Sequence, residues 1–166
     1  MRLILIFAVF MSCVLHAEQS DFAQPITIKS VTQFVDGLND VAVYKENVVI
    51  TQGSLKITAD EVRIDASAGD GNELFIATGT PASFEQRSQD GSLVKASGNE
   101  IRYTRKDKKI NLSGSAQLAQ DSSTVSGENI IFDMLNEQLI ASGTDGDSGR
   151  VKAVFQAEKT PKKEEQ

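Results

Sequence analysis

The chain has 166 residues, with 17 basic and 23 acidic side chains and a net charge of −6. That balance disfavours nucleic acid as a partner, because phosphate backbones select basic surfaces. One Cys, one His and no Trp leave little for thiol, imidazole or zinc chemistry.

The first element is a leader. Arg2 precedes a thirteen-residue apolar stretch at 3–15, and the small residue Ala17 precedes Glu18. This is the layout of a secretory signal peptide cleaved near Ala17. A spanning helix needs roughly 20 apolar residues, so an uncleaved anchor fits less well. Phe10-Met11-Ser12-Cys13 only loosely matches a lipoprotein cleavage site, since Phe10 is poor at its first position and the apolar run passes Cys13. Residues 1–17 are therefore expected to be a leader, 18–156 one β-domain, and 157–166 a charged, disordered tail. Removing Cys13 and His16 with the leader leaves neither Ser-His nor Cys-His pairs. Loss of Arg2 leaves 16 basic against 23 acidic residues, about −7.

A pattern then repeats along the chain. Ala59-Asp60-Glu61-Val62-Arg63-Ile64, Gly98-Asn99-Glu100-Ile101-Arg102-Tyr103 and Gly127-Glu128-Asn129-Ile130-Ile131-Phe132 share a small residue, two polar residues, then apolar residues two apart. An offset pattern accompanies it at Ala77-Thr78-Gly79, Leu112-Ser113-Gly114 and Ala141-Ser142-Gly143. Tyr44-Lys45-Glu46 is a degenerate fourth copy with Glu46 in the glycine slot. The spacings from 46 to 79, 114 and 143 are 33, 35 and 29 residues, and similarity at such a period indicates a stacked or meandering repeat architecture.

Within each repeat the period is two. Leu55, Ile57 and Ala59 alternate with Lys56, Thr58 and Asp60, as in a strand with one buried face. The phase then flips, because Ala59 to Val62, Gly98 to Ile101 and Gly127 to Ile130 are steps of three. A one-residue slip sends later side chains to the other face. A bulge or corner at the small residue restores a common interior. The expected strands are long, bend once in the middle and wrap one core. Turn signals separate them at 68–72, 88–91, 106–108, 120–122 and 145–149, with Asp-Gly pairs suited to hairpins. The predicted class is all-β and mostly antiparallel, with about ten or more strands. The terminal segments 26–31 and 150–155 are its two unpaired edges.

Sites for chemistry are sparse. No P-loop motif occurs. Asp145-Gly146-Asp147-Ser148-Gly149 begins like a calcium loop, but Gly149 and Gln156 stand where ligands belong, so a hairpin turn is the better reading. Asp60, Glu61 and Glu85 are the carboxylates to weigh for a glycosidase, yet adjacent strand residues face opposite ways. The basic cluster of Arg102, Arg105, Lys106, Lys108 and Lys109 is a solvated hairpin tip or a contact for an anionic head group. No cofactor or metal is expected, and no enzymatic activity.

Three segments carry a family resemblance: Gln24-Pro25-Ile26-Thr27-Ile28, the stretch 47–60 (NVVITQGSLKITAD) and Gly79-Thr80-Pro81-Ala82-Ser83-Phe84. Over about residues 22–143 the chain resembles the LptA (OstA-like) family of periplasmic lipopolysaccharide-transport bridge proteins. The resemblance implies a twisted, open β-jellyroll whose two sheets form a V, and a carrier located in the periplasm. It implies lipopolysaccharide as cargo, with the lipid A acyl chains in an apolar groove. It implies head-to-tail self-association, an inner-membrane anchored LptC-like partner and an outer-membrane LptD-like receptor. Family positions facing lipid match Ile26, Phe84 and Tyr103. Another falls on Arg105, where the family has an aliphatic residue. Ile28, Ile50, Ile57 and Phe132 complete the candidate lipid-binding set.

Physical chemistry agrees with such a role. Removing one CH₂ from water is worth about 0.8 kcal/mol, so an acyl chain of about a dozen carbons represents roughly 10 kcal/mol. Crossing an aqueous compartment then needs a continuous apolar path. Unpaired sheet edges, which most proteins blunt, would join copies into an open filament. The alternative is a secreted β-repeat module binding a surface or a carbohydrate. Such a module would display Phe and Tyr outside, whereas a trough would be lined throughout with Ile, Val, Leu and Phe.

Overall fold

Among the described residues, ten strands follow one another and every pairing is antiparallel. This computed structural model describes residues 20–146 and 149–156. The expected leader and tail, and part of the 145–149 motif, lie outside the described residues. A 3₁₀ turn at Asp21–Ala23 precedes β1 (Thr27–Lys29), β2 (Thr32–Asp36), β3 (Val41–Gln52), β4 (Leu55–Asp65) and β5 (Leu74–Arg87). Then come β6 (Leu93–Thr104), β7 (Lys109–Gln120), β8 (Ser123–Asp133), β9 (Gln138–Ser142) and β10 (Lys152–Phe155). The sheet order is β1-β3-β4-β5-β6-β7-β8-β10, with β2 also on β3 and β9 also on β8.

The long strands bend once, along a common line. Register shifts fall between Lys45 and Val48, Thr58 and Glu61, Thr78 and Ala82, Ser97 and Glu100, and Ser113 and Ala116. The two sequence patterns are thus two sides of one fold line. Ala59, Gly98 and Gly127 mark it on β4, β6 and β8; Glu46, Gly79 and Gly114 mark it on β3, β5 and β7. Gly79-Thr80-Pro81 is accordingly a bend inside β5 and not a turn between strands.

The bends are of two kinds. On β4 and β6 the buried positions change parity across the line, from 55 and 57 to 62, and from 94 and 96 to 101 and 103. On β7 they keep parity, from 110 and 112 to 116 and 118, because two residues are looped out. Those two, Gly114 and Ser115, have φ of 72° and 54°; the equivalent pair on β3, Glu46 and Asn47, has 67° and 54°. Glycine at 127 has a steric reason too, since a Cβ there would lie 2.8 Å from the Ser142 carbonyl oxygen.

Folding along that line makes two eight-segment layers from one sheet. The first holds β1, the C-terminal halves of β3, β5 and β7, the N-terminal halves of β4, β6 and β8, and β10. The second holds β2, the remaining halves and β9. Their inner faces supply one apolar core, as the alternation predicted, and the result is the open, twisted β-jellyroll that the family resemblance implied. Each open edge carries two segments, one per layer, so the expected single edge strands at 26–31 and 150–155 are each only half of an edge. The N-terminal edge is one bent strand broken at Ser30 and Val31. The C-terminal edge is broken by the connection from Gly143 to Val151.

Candidate functional site

The inward residues form rows that cross the molecule at right angles to the strands. In the first layer the pairing places Ile28, Ile50, Ile57, Phe84, Ala96, Leu118, Val125 and Ala153 side by side, from β1 to β10. In the second layer Val35, Ala42, Ile64, Phe75, Tyr103, Ile110, Phe132 and Leu139 do the same, from β2 to β9. With strands about 4.8 Å apart, eight segments span roughly 34 Å. An apolar interior therefore runs from edge to edge, and its ends are the ends of the sheet.

The predicted site residues fall on these rows or beside them. Ile50, Ile57, Phe84, Tyr103 and Phe132 are buried, and Phe84 has no exposed surface. Ile26 and Ile28 are half-buried and pack against the same core. Ile110 and Leu112 on β7 are equally enclosed; their alternation with Lys109 and Asn111 was the available signal, although they were not among the candidates. The Phe75 and Tyr103 rings are registered neighbours stacked at 5.7 Å between centroids. Exposed aromatics stand at the edges, Phe34 on β2 and Phe155 on β10.

Polar groups sit at the rim opposite the fold line. Gln52 is buried on the inward phase of β3. Its Nε2 donates to the carbonyl oxygens of Phe22 (3.2 Å) and Gln24 (3.1 Å), and its Oε1 accepts from the Tyr103 hydroxyl at 3.1 Å. Tyr103 belongs to the second layer and Gln52 to the first, so this bond crosses the interior. Burial pushes the Tyr103 phenol up to about 12, because the phenolate would lose hydration. Asp21 accepts from the Ser54 amide at 2.8 Å, from the Ser54 hydroxyl, and from Gln86 Nε2 at 3.2 Å. Gly53 has φ of +59°, and Asp21 occupies the space a Cβ would need there. None of this network was anticipated; a glutamine on an inward phase was the one clue to it.

The basic cluster is largely neutralised. Arg102 pairs with Glu100 at 2.7 Å, Arg105 with Glu73 at 3.0 Å and Lys109 with Asp133 at 3.4 Å. Arg105 lies just past β6 at the rim, outside the apolar rows. Lys108 donates to the Arg105 carbonyl oxygen at 2.6 Å and stands 5.3 Å above the Phe22 ring. Glu61 pairs with Lys45 at 2.9 Å and Glu85 faces Lys95 at 3.8 Å, all with largely exposed side chains. Turn carboxylates cap backbone amides: Asn136 holds Asp133, and Ser67 holds Asp65, below the usual carboxylate range.

Known proteins are similar to this chain in sequence and fold. Residues 27–138 match the family described as LptA/(LptD N-terminal domain) LPS transport protein. The lipopolysaccharide export system protein LptA of Haemophilus influenzae is 34% identical over 151 residues, covering 86% of this chain and 88% of that protein. LptA of Escherichia coli K12 is 32% identical over 130 residues, covering 78% and 70%. The solved structure of LptH, the LptA-homologous periplasmic component of the lipopolysaccharide transport device of Pseudomonas aeruginosa, superposes with a TM-score of 0.75 at 31% identity. It covers 84% of this chain and all of that one.

Proposed function

Because the chain belongs to the LptA/(LptD N-terminal domain) family of LPS transport proteins, we propose that it carries lipopolysaccharide through the periplasm with the acyl chains inside its apolar interior. The observation that carries this reading is the pair of apolar rows running from one open edge to the other. A closed binding module has no need for an interior that reaches both edges of its sheet. The burial of Phe75, Phe84, Tyr103 and Phe132 also favours the trough over display of aromatics to a carbohydrate.

Ile26, Ile28, Ile50, Ile57, Phe84, Tyr103 and Phe132 line the path in this reading. Their side chains are already packed, so cargo enters by spreading the two layers at the rim opposite the fold line. Acyl chains then replace core contacts with contacts of the same kind, and little apolar surface meets water. The leader is removed near Ala17, residues 18–156 form the working domain, and 157–166 are a charged tail.

The open edges serve assembly. β1 and β2 present Val31, Phe34, Val35 and Leu38 nearby, while β9 and β10 bring Ile140, Val151, Val154 and Phe155, all exposed. Ladder pairing of one edge with the other extends the rows into the next copy. The same edges receive an inner-membrane LptC-like partner and an outer-membrane LptD-like receptor.

The test is retention of cargo on the immobilised protein. Lipopolysaccharide should bind saturably, and the same molecule stripped of its acyl chains should not. Equal retention of both would reverse the reading in favour of a carbohydrate-binding surface.

A further inference from the structure

Residues 20–24 are not part of the sheet, yet they close the rim between its two layers. Asp21 holds the first layer through Ser54 and Gln86, and the Phe22 and Gln24 carbonyls hold it through Gln52. Phe22 packs against the core and lies under the ammonium of Lys108, which belongs to the second layer's β6–β7 turn. Side-chain hydrogen bonds hold this segment where a strand would have a ladder. Such elements come from the low-stability end of a fold and open without global unfolding.

We propose that residues 20–24 are a displaceable strap, and that an incoming acyl chain takes the place of Phe22. This rests on the lipid-carrier reading above. The strap imitates its replacement. Phe22 supplies apolar surface, the Phe22 and Gln24 carbonyls satisfy the two Nε2 hydrogens of Gln52, and the ring face offers Lys108 a negative potential. An acylated anionic glycolipid has the same three features: chains, amide or ester carbonyls beside them, and negative charge. When the strap leaves, buried Gln52 needs new acceptors and Lys108, having lost the ring beneath it, is open to an anionic group. A ligand with chains but neither carbonyls nor charge satisfies one need of three. The strap thus keeps the empty trough shut and favours acylated anionic glycolipids over plain hydrocarbon.

The sequence has no Trp, so Phe22→Trp places a single indole emitter on the strap. This variant is titrated, as the processed periplasmic protein, with short-sugar lipopolysaccharide beside the unsubstituted protein. Binding should shift the indole emission to the red and raise its quenching by acrylamide. Phe22→Ala, with unchanged far-UV dichroism, should bind about three- to tenfold tighter than the natural chain, because a closed competing state is removed. Binding with unmoved or blue-shifted indole emission overturns the strap, and so does Phe22→Ala binding no tighter than the natural chain. Failure of the unsubstituted protein to retain lipopolysaccharide at all is a different result, and it overturns the carrier reading as well.

Discussion

Tyr103 and Gln52 come from opposite layers and meet across the interior, hydroxyl to amide oxygen, at 3.1 Å. Both side chains are buried, so the Tyr103 hydroxyl finds its acceptor in Gln52 Oε1, while Gln52 Nε2 is satisfied separately by the Phe22 and Gln24 carbonyls. The pair sits at the rim where the layers are not joined by backbone, which makes it a clasp between the two layers.

That clasp has a pH signature. The Tyr103 phenol is raised in the folded state from 10.0 to about 12. Its contribution is fully present below pH 10 and declines as pH rises towards 12, since the unfolded chain releases the proton first. Two units correspond to at most about 2.7 kcal/mol. Denaturant titrations from pH 9 to 12 should show a steeper loss in the natural chain than in Tyr103→Phe. At pH 7 that variant should be less stable by about 1–2 kcal/mol, because Gln52 Oε1 loses its donor.

Glu46 stands in a left-handed position, φ 67°, where the matching residue on β7 is Gly114. A non-glycine residue there costs about 1–2 kcal/mol. Glu46→Gly should raise the unfolding free energy by about 0.5–1 kcal/mol, the remainder being offset by greater freedom of the unfolded chain. Urea denaturation of the two proteins measures it.

Neighbouring isoleucines on β8 should behave oppositely. Ile130 is fully buried and Ile131 is 38% exposed on the outer face. Ile130→Asp buries an unpaired carboxylate and should cost more than about 4 kcal/mol; Ile131→Asp should stay within about 1 kcal/mol. Thermal melts of both variants decide whether the alternation has been assigned to the correct faces.

Much of this was legible in the residues. The step of three at Ala59, Gly98 and Gly127 revealed bent strands because a parity change cannot persist in a strand with one buried face. The two-residue insertions at Glu46-Asn47 and Gly114-Ser115 keep parity, so periodicity alone did not expose them. The split edges were hidden for another reason. β2 and β9 bring large exposed apolar residues, Phe34 and Ile140, which read poorly as half-buried strands. The strap at 20–24 has no period at all. Its place is set by Asp21 reaching Ser54, a contact 33 residues apart in sequence.

Assembly should depend on the C-terminal edge. Removing residues 150–166 takes away β10 and leaves most of the sheet, so strand content should be nearly unchanged. Concentration-dependent growth of long multimers should stop, because one of the two complementary ladders is incomplete. Light scattering across a dilution series tests this; multimers of unchanged size in the truncated protein would assign assembly to another surface.

The central claim is that acyl chains occupy the inside of the folded sheet. Phe84 and Glu85 are consecutive on β5 and point to opposite faces, one fully buried and one towards Lys95. A photo-reactive phenylalanine analogue at each position, irradiated in cells, measures the claim most directly. Lipopolysaccharide should be captured at position 84 and be nearly absent at 85. Equal capture at both, or capture at 85 alone, would contradict an interior path.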